Sequence, residues 1–349
     1  MRHLWPPVVC VCGWKDAGKT TLIEALIPRL KERDLEVGVL KHDAHGLEID
    51  KPGKDTDRYF QAGADVVAHD DTQLFARRRL DGRISLARLA WHLGGRYDLV
   101  LVEGHKASPL PKLWVAGEGE DHAPTDVEHL IGAVARGEGM VDEALDLILK
   151  AVADFYRHVT TVAGILIGGD SSRMGRPKAL LPYKHHTLIE HAVDVVRPWV
   201  DDVVLLGAGP CPEGLTGVAR IADAPLVQGP MAGILGALRW APRVRWLILP
   251  CDLPLITNEA VEWLLEQPVY GRPVTMPHIA GQAMPDPLFA VYDPPARRWL
   301  EDAAETEQFS LRHAFPEAAV TDCPVPPEHA DAWHNVNTPD DWHRLSDRL

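Results

Sequence analysis

No apolar run in the 349 residues approaches the roughly 20 that a bilayer-crossing helix needs, so no membrane partner is expected. Cysteine is scarce. Cys10, Cys12, Cys211, Cys251 and Cys323 are odd in number and scattered, with no Cys-x-x-Cys pair. That excludes a disulfide framework and points to a reducing compartment. Positive charge is also short: 36 Lys and Arg stand against 50 Asp and Glu, a net charge of −14. A broad electrostatic surface for nucleic acid is thereby excluded. Nucleotides are not, because a phosphate needs only a local cradle of backbone N–H groups and a cation or two. The opening MRHLWPPVVCVCGWKD lacks the apolar stretch and small-residue cleavage site of a secretory signal, so a cytoplasmic location is the expectation.

What is present suits ordinary globular domains: 46% apolar residues and 25% charged. The length suggests two domains of roughly 100–200 residues each. The pattern alternates strand and helix, twice over. Val8–Val11 reads as a strand, and Leu22, Ile23, Leu26, Ile27 and Leu30 share one face of a helix. Leu35–Leu40 and Asp98–Val102 read as further strands. Such continuous apolar strands separated by helices imply a parallel sheet covered on both faces. Cys10 and Cys12 alternate on the first strand and read as small buried hydrophobes. Gly117–Pro124 reads as a loop and Val141–Tyr156 as an amphipathic helix. The boundary is placed just after it, near Arg157–Thr161, giving units 1–157 and 158–349. No Gly/Ser linker lies there, so close packing or a stiff connection is expected. The second half restarts with a strand at Val162–Ile167 and a helix marked by Leu188, Ile189, Ala192, Val193 and Val196. Strands at Val203–Leu206 and Trp246–Leu249 follow, with the helical segment Met231–Trp240 between them. Val274 and Leu288–Tyr292 continue the pattern, and a last helix starts near Pro339.

Each half opens on a Gly-rich loop. Gly13-Trp14-Lys15-Asp16-Ala17-Gly18-Lys19-Thr20 fits G-x-x-x-x-G-K-[ST] between a strand and a helix. Lys19 would reach the β- and γ-phosphates and the Thr20 hydroxyl would sit on Mg²⁺. Glu103 ends the strand DLVLVEG, where an acidic residue can hold the metal's water shell. His42 and His45 follow the second strand without an obvious third metal ligand, and read as polar loop residues.

In the second half a strand runs from Leu166 directly into Gly168-Gly169, and Arg173 and Lys178 follow. Bare backbone approaches a phosphate closely there, and two fixed cations suit nucleotidyl transfer, where charge develops on the α-phosphate oxygens and the departing pyrophosphate. Asp252 stands at the end of the strand Trp246–Leu249, between prolines, as a metal carboxylate or a helix N-cap. Asp223 precedes Gly229-Pro230-Met231-Ala232-Gly233, where small residues let a flat base lie close to backbone. Its carboxylate could accept from the two adjacent donors of a guanine edge.

Two resemblances follow from these residues. GWKDAGKTTLIEALIPRL, KHDAHGLEIDKPGKDTDRYFQAGADVV and LVLVEGHK resemble MobB, the GTP-binding adapter family of molybdopterin-guanine dinucleotide biosynthesis, over most of residues 5–110. The resemblance implies that Gly18, Lys19, Thr20 and Thr21 bind GTP phosphates. ILIGGDSSRMGRPKALL, DAPLVQGPMAGILGAL, LPCDLPLI and Asn335-Val336-Asn337-Thr338-Pro339 resemble MobA, the molybdenum cofactor guanylyltransferase family, over nearly all of 160–349. It implies that Leu166, Gly168, Gly169, Arg173 and Lys178 grip GTP, Asp223 reads guanine, Asp252 binds Mg²⁺, and Asn335 and Asn337 help hold molybdopterin. Pro177 stands where the family often has an acidic residue, and an Arg-Pro-Lys segment also occurs in cytidylyltransferase relatives.

The expected fold is therefore α/β: two doubly wound domains, a P-loop NTPase-like one and a Rossmann-like nucleotidyltransferase. The expected reaction is GMP transfer from GTP to molybdopterin. The alternatives are CTP as donor, a sugar phosphate as acceptor, or an adapter role for the P-loop half. Other cofactor-biosynthesis proteins and apo-molybdoenzymes are the expected protein partners.

Overall fold

The computed structural model describes residues 5–346 apart from 44, 45, 48, 81, 83, 94, 95, 118, 121 and 169–176. The first half is built on five parallel strands in the order β2-β5-β1-β6-β7. These are β1 (Val8–Cys12), β2 (Val37–Lys41), β5 (Leu99–Glu103), β6 (Lys112–Val115) and β7 (Leu130–Val134). The exposed antiparallel hairpin of β3 (Val66–His69) and β4 (Leu74–Arg77) stands apart from them. The helices are α1 (Lys19–Lys31), α2 (Asp55–Gln61), α3 (Leu86–Leu93) and α4 (Met140–His158).

Both faces of the sheet are covered, which is why its strands read as unbroken apolar runs. Val9 and Val11 face Leu22, Leu26 and Leu30 of α1 and Ile148 and Val152 of α4. Cys10 and Cys12 point the other way, among Val100, Val102 and Trp114, with Leu86 and Leu93 of α3 packed behind. Burial pushes the Cys12 thiol up to about 12, so it behaves as a small apolar group that donates to Gly104 O at 3.0 Å.

The second half carries a seven-stranded sheet in the order β12-β11-β8-β13-β15-β14-β16. Its strands are β8 (Thr161–Leu166), β11 (Asp202–Leu206), β12 (Ala219–Ile221), β13 (Arg245–Pro250), β14 (Val274–His278), β15 (Ala290–Tyr292) and β16 (Val320–Pro324). A small hairpin, β9 (Pro182–Tyr183) with β10 (His186–Thr187), lies outside it. The helices are α5 (Leu188–Val196), α6 (Pro230–Trp240), α7 (Asn258–Glu266), α8 (Arg297–Glu305) and α9 (Pro339–Ser346). One difference from a purely parallel pattern stands out. β15 runs antiparallel to both β13 and β14, which joins a four-stranded parallel half to the β14–β16 pair. α5 and α7 bury one face of this sheet, α6 and α8 the other.

α4 ends at His158 and β8 begins at Thr161, so the connection is short, and side chains pack across it. Arg245 is buried, donates to Asp293 Oδ1 at 2.8 Å and to Tyr156 O at 3.1 Å. Trp5 N donates to Arg243 O at 2.9 Å, and the Trp5 ring packs edge-on against Phe155 and Tyr156. Among the described residues no helix is long and apolar enough to cross a membrane.

Candidate functional site

The phosphate loop of the first half leaves β1 at Cys12 and enters α1 at Lys19. Gly18 is the helix N-cap with φ of 95°, a conformation that costs glycine little and other residues much. Among the described residues no side chain caps α1, which leaves its first N–H groups to an anion. Lys19 Nζ folds back onto Trp14 O at 2.6 Å, across the mouth of the loop. Thr20 Oγ1 donates to Glu103 Oε1 at 3.0 Å, and Lys41 Nζ stands 3.7 Å from Glu103 Oε2. A hydroxyl and a carboxylate in contact form the hard-oxygen donor pair that suits Mg²⁺. Thr21 is exposed on the first turn of α1, and Gly13 joins β1 to the loop. His45 lies outside the described residues, while His42 stacks at a tilt on His105, ring centres 5.6 Å apart. Among the described residues no three His, Cys, Asp or Glu side chains gather as a metal cluster.

The second site is a cleft of about 910 Å³ at the carboxyl ends of β8, β11 and β13. Leu166, Gly168, Lys178, Asp223, Asp252, Asn335 and Asn337, all singled out from the sequence, line it together. Gly169 and Arg173 lie outside the described residues. Lys178 Nζ joins the other groups: it donates to Asp252 Oδ2 at 2.7 Å and to Asn337 Oδ1 at 2.8 Å. Asp252 is not a helix N-cap, since α7 is capped by Thr257, whose side chain accepts from Ala260 N. Its backbone carbonyl accepts from Val336 N at 3.1 Å, which fastens the Asn335–Asn337 segment beside it. Asp252 Oδ1 is buried and, among the described residues, has no hydrogen-bond partner. A carboxylate oxygen without a described partner, at the wall of this cleft, fits a divalent cation.

At another wall of the cleft Asp223 faces Gly168, Gly207 and Gly233. A Cβ on Gly233 would come within 2.7 Å of Leu166 Cδ2 and 3.5 Å of Asp223 Oδ1. One on Gly236 would meet Ala222 O at 2.6 Å. The small residues of α6 therefore serve helix packing on the Ala222–Ala224 backbone as well as opening the cleft. Arg220, which the sequence alone did not flag, donates to Gly207 O at 3.2 Å and Gly209 O at 2.6 Å and holds the cleft's rim. Asp286, also missed, is half-buried near Asp252. Burial pushes its carboxyl up, and it accepts from Leu288 N at 2.8 Å. The only sequence signal for it is an acid set between two prolines.

Comparison with known proteins gives two separate matches. Residues 8–136 match the family described as molybdopterin guanine dinucleotide synthesis protein B, MobB. Residues 163–318 match the MobA-like NTP transferase domain. The probable molybdopterin-guanine dinucleotide biosynthesis adapter protein of Bacillus subtilis is 40% identical over 136 residues, 37% of this chain and 76% of that protein. The probable molybdenum cofactor guanylyltransferase of Bacillus anthracis is 30% identical over 188 residues, 51% of this chain and 92% of that protein.

The chain belongs to both families.

It is a nucleotidyltransferase with a MobB part ahead of its MobA-like part. A molybdenum cofactor biosynthesis bifunctional protein of Synechocystis sp. is 30% identical over 185 residues, 52% of this chain and about half, 52%, of that protein. The MobB match takes in the whole phosphate loop and Glu103, and the MobA-like match takes in Lys178, Asp223 and Asp252. Asn335 and Asn337 fall beyond the matched 163–318, so their place in the cleft rests on the structure.

Proposed function

We propose that the chain transfers GMP from GTP to molybdopterin, forming molybdopterin guanine dinucleotide and releasing pyrophosphate. The observation that carries this reading is the Lys178 ammonium bridging Asp252 and Asn337 in the cleft that Gly168 and Asp223 also line. An oxygen of the acceptor's terminal phosphate attacks the α-phosphorus of GTP in line. The bond from that phosphorus to the β-phosphate oxygen breaks, and pyrophosphate leaves. No general base is needed, because a phosphate monoester is already anionic near neutral pH. The protein supplies position and charge. Lys178 faces the charge that grows on the phosphates, the resemblance adds Arg173 to it, Asp223 accepts from the guanine edge, and Asn335 and Asn337 hold the pterin side. Asp252 would hold Mg²⁺ through Oδ1, which is unpartnered among the described residues. When bound, the ion neutralises charge on the departing pyrophosphate.

The MobB part is proposed as a GTP-binding module that supports delivery and performs no chemistry on the pterin. Gly13, Gly18, Lys19, Thr20 and Thr21 would cradle the phosphates, with Thr20 and Glu103 at Mg²⁺. Units of 1–157 and 158–349 are proposed, a division supported by α4 ending at His158. A reducing cytoplasm is the proposed location, in keeping with five free cysteines.

The test is transfer of label from α-labelled GTP or CTP onto molybdopterin by the full chain with Mg²⁺. Dinucleotide formed from GTP is the expected product. Label passing only from CTP, or onto no pterin, would overturn the assignment. A Lys19→Ala chain is expected to retain transfer while cofactor maturation slows.

A further inference from the structure

Arg136, two residues past the end of β7, lies against the phosphate loop from the side opposite the proposed metal position. Its Nη2 donates to Asp16 O at 2.7 Å. Its Nε and Nη2 both stand 3.2 Å from where a Cβ on Gly18 would be. An exposed arginine has thus settled its planar head on the bare backbone of the loop.

The sheet order assigns the two ends of a bound nucleotide. Glu103 ends β5 and Lys41 ends β2, both on one side of β1, whereas β6 and β7 lie on the other. A Mg²⁺ held by Thr20 and Glu103 would serve the terminal phosphates of a nucleotide in such a loop. The γ end therefore lies toward Thr20 and Glu103, and the α-phosphate with its nucleoside must leave on the β6–β7 side. That is where Arg136 waits. A guanidinium held by one edge keeps its face available, and the face of this group stacks on aromatic rings.

Resting on the proposal that this loop binds GTP, we propose that Arg136 is the nucleobase clamp of the MobB site. Held by Asp16 O and seated on Gly18, it stacks on the purine and makes no contact that depends on the γ-phosphate.

Three ligands separate the possibilities: GTP, GDP and inorganic tripolyphosphate, each titrated calorimetrically with Mg²⁺. The full chain carries Lys178→Ala and Asp252→Ala so that heat from the second cleft is suppressed. Arg136→Ala is expected to weaken GTP and GDP alike by about tenfold and leave tripolyphosphate unchanged. Arg136→Lys, which keeps the charge and loses the plane, is expected to recover little. An equal loss for tripolyphosphate would make Arg136 a brace of the loop and overturn the proposal. A loss confined to GTP would make it a phosphate ligand, and unchanged affinity for all three would remove it from the site. Adding Lys19→Ala checks the underlying reading separately. If that change left all three affinities intact, the loop itself would not be the binding site and the clamp would fall with it.

Discussion

Replacing Lys178 with alanine should slow GMP transfer by two to three orders of magnitude in a chain that still folds. The ammonium is fixed 2.7 Å from Asp252 Oδ2 and 2.8 Å from Asn337 Oδ1, so it needs no rearrangement when charge develops nearby. A unit charge about 4 Å from another is worth roughly 4 kcal/mol at an effective dielectric near 20. At about 1.36 kcal/mol per factor of ten, that is roughly a thousandfold in rate. Removing one fixed donor from an oxyanion hole costs about 10²–10³ in kcat, so the two routes agree. The side chains of Lys178 and Asp252 keep 20% and 10% of their exposure, so some screening pulls the figure toward the lower end. Stability should fall by roughly 1–3 kcal/mol, because the Asp252 carboxylate loses its cation. The assay is single-turnover quench of α-labelled GTP with saturating molybdopterin, which separates the chemical step from product release. Circular dichroism and thermal melting of the same sample establish the fold. A folded variant within tenfold of the wild-type rate would refute the assignment of Lys178 to the developing charge.

Three further outcomes are expected. Glu103→Gln should weaken Mg²⁺-dependent GTP binding at the MobB loop by about 10–100-fold and leave binding in EDTA nearly unchanged, as titration with and without the metal will read. Arg245→Met should destabilise the chain by about 3–5 kcal/mol, since Asp293 is left buried without its cation; Arg245 and Asp293 side chains are only 5% and 2% exposed. A melting temperature within a degree or two of wild type would contradict that. Asp98 is set in the interior with Glu36 N as donor at 2.9 Å and with Arg298, Asp293 and Glu36 near it; burial above all raises its carboxyl to about 7. An unfolded Asp titrates near ~3.9, so between about pH 4 and pH 7 the folded chain keeps a proton that the unfolded chain sheds. This group's contribution is therefore most favourable below about pH 4 and is lost as pH rises through 7. Asp98→Asn should remove that slope and stabilise the chain at pH 8 by up to about 4 kcal/mol while changing little at pH 4, as denaturant midpoints at the two pH values will show.

The parts of the fold that were legible in the sequence are those whose signal is local. The phosphate loop, its flanking strand and α1 sit within one short stretch, Glu103 ends an apolar strand and Asp252 stands two residues past the end of another. The elements that were missed hide their signal. β6 reads poorly because its first residue is Lys112, a charge at a fully buried position. Its Nζ donates to Ser108 O at 2.5 Å, Leu110 O at 3.1 Å and Glu128 O at 2.8 Å, three carbonyls supplied by loops on both sides. The hairpin of β3 and β4 shelters the face of Val66, Ala68, Phe75 and Arg77, but it leaves the apolar Val67 and Leu74 exposed at 65% and 68%, so hydropathy does not follow its alternation. The reversed direction of β15 follows from its partners β13 and β14, which hydropathy does not encode. Arg136 and Arg220 escaped notice for a related reason. Each acts on a loop carbonyl far along the chain or around a turn, and a lone exposed arginine has no motif.

The same contrast between local and distant assembly separates the two sites. The MobB loop takes its cation and its helix end from adjacent residues, whereas Lys178 meets Asp252 across 74 residues and Asn337 across 159. The second site therefore depends on how the C-terminal segment is anchored. Asp341 does much of that anchoring. Its Oδ2 accepts from Asn337 N at 3.2 Å and Thr338 N at 2.9 Å, while its own N–H donates to Thr338 Oγ1 at 3.2 Å. Losing a capping arrangement of this kind costs about 0.5–2 kcal/mol. Spent on the placement of Asn337, that loss amounts to roughly 2–30-fold in kcat/KM. Asp341→Ala should accordingly depress transfer while leaving GTP affinity at the MobB loop unchanged. Equal loss at both sites would mean that Asp341 supports the fold as a whole, and an unchanged kcat/KM would mean that the Asn337 segment reaches the cleft without its help.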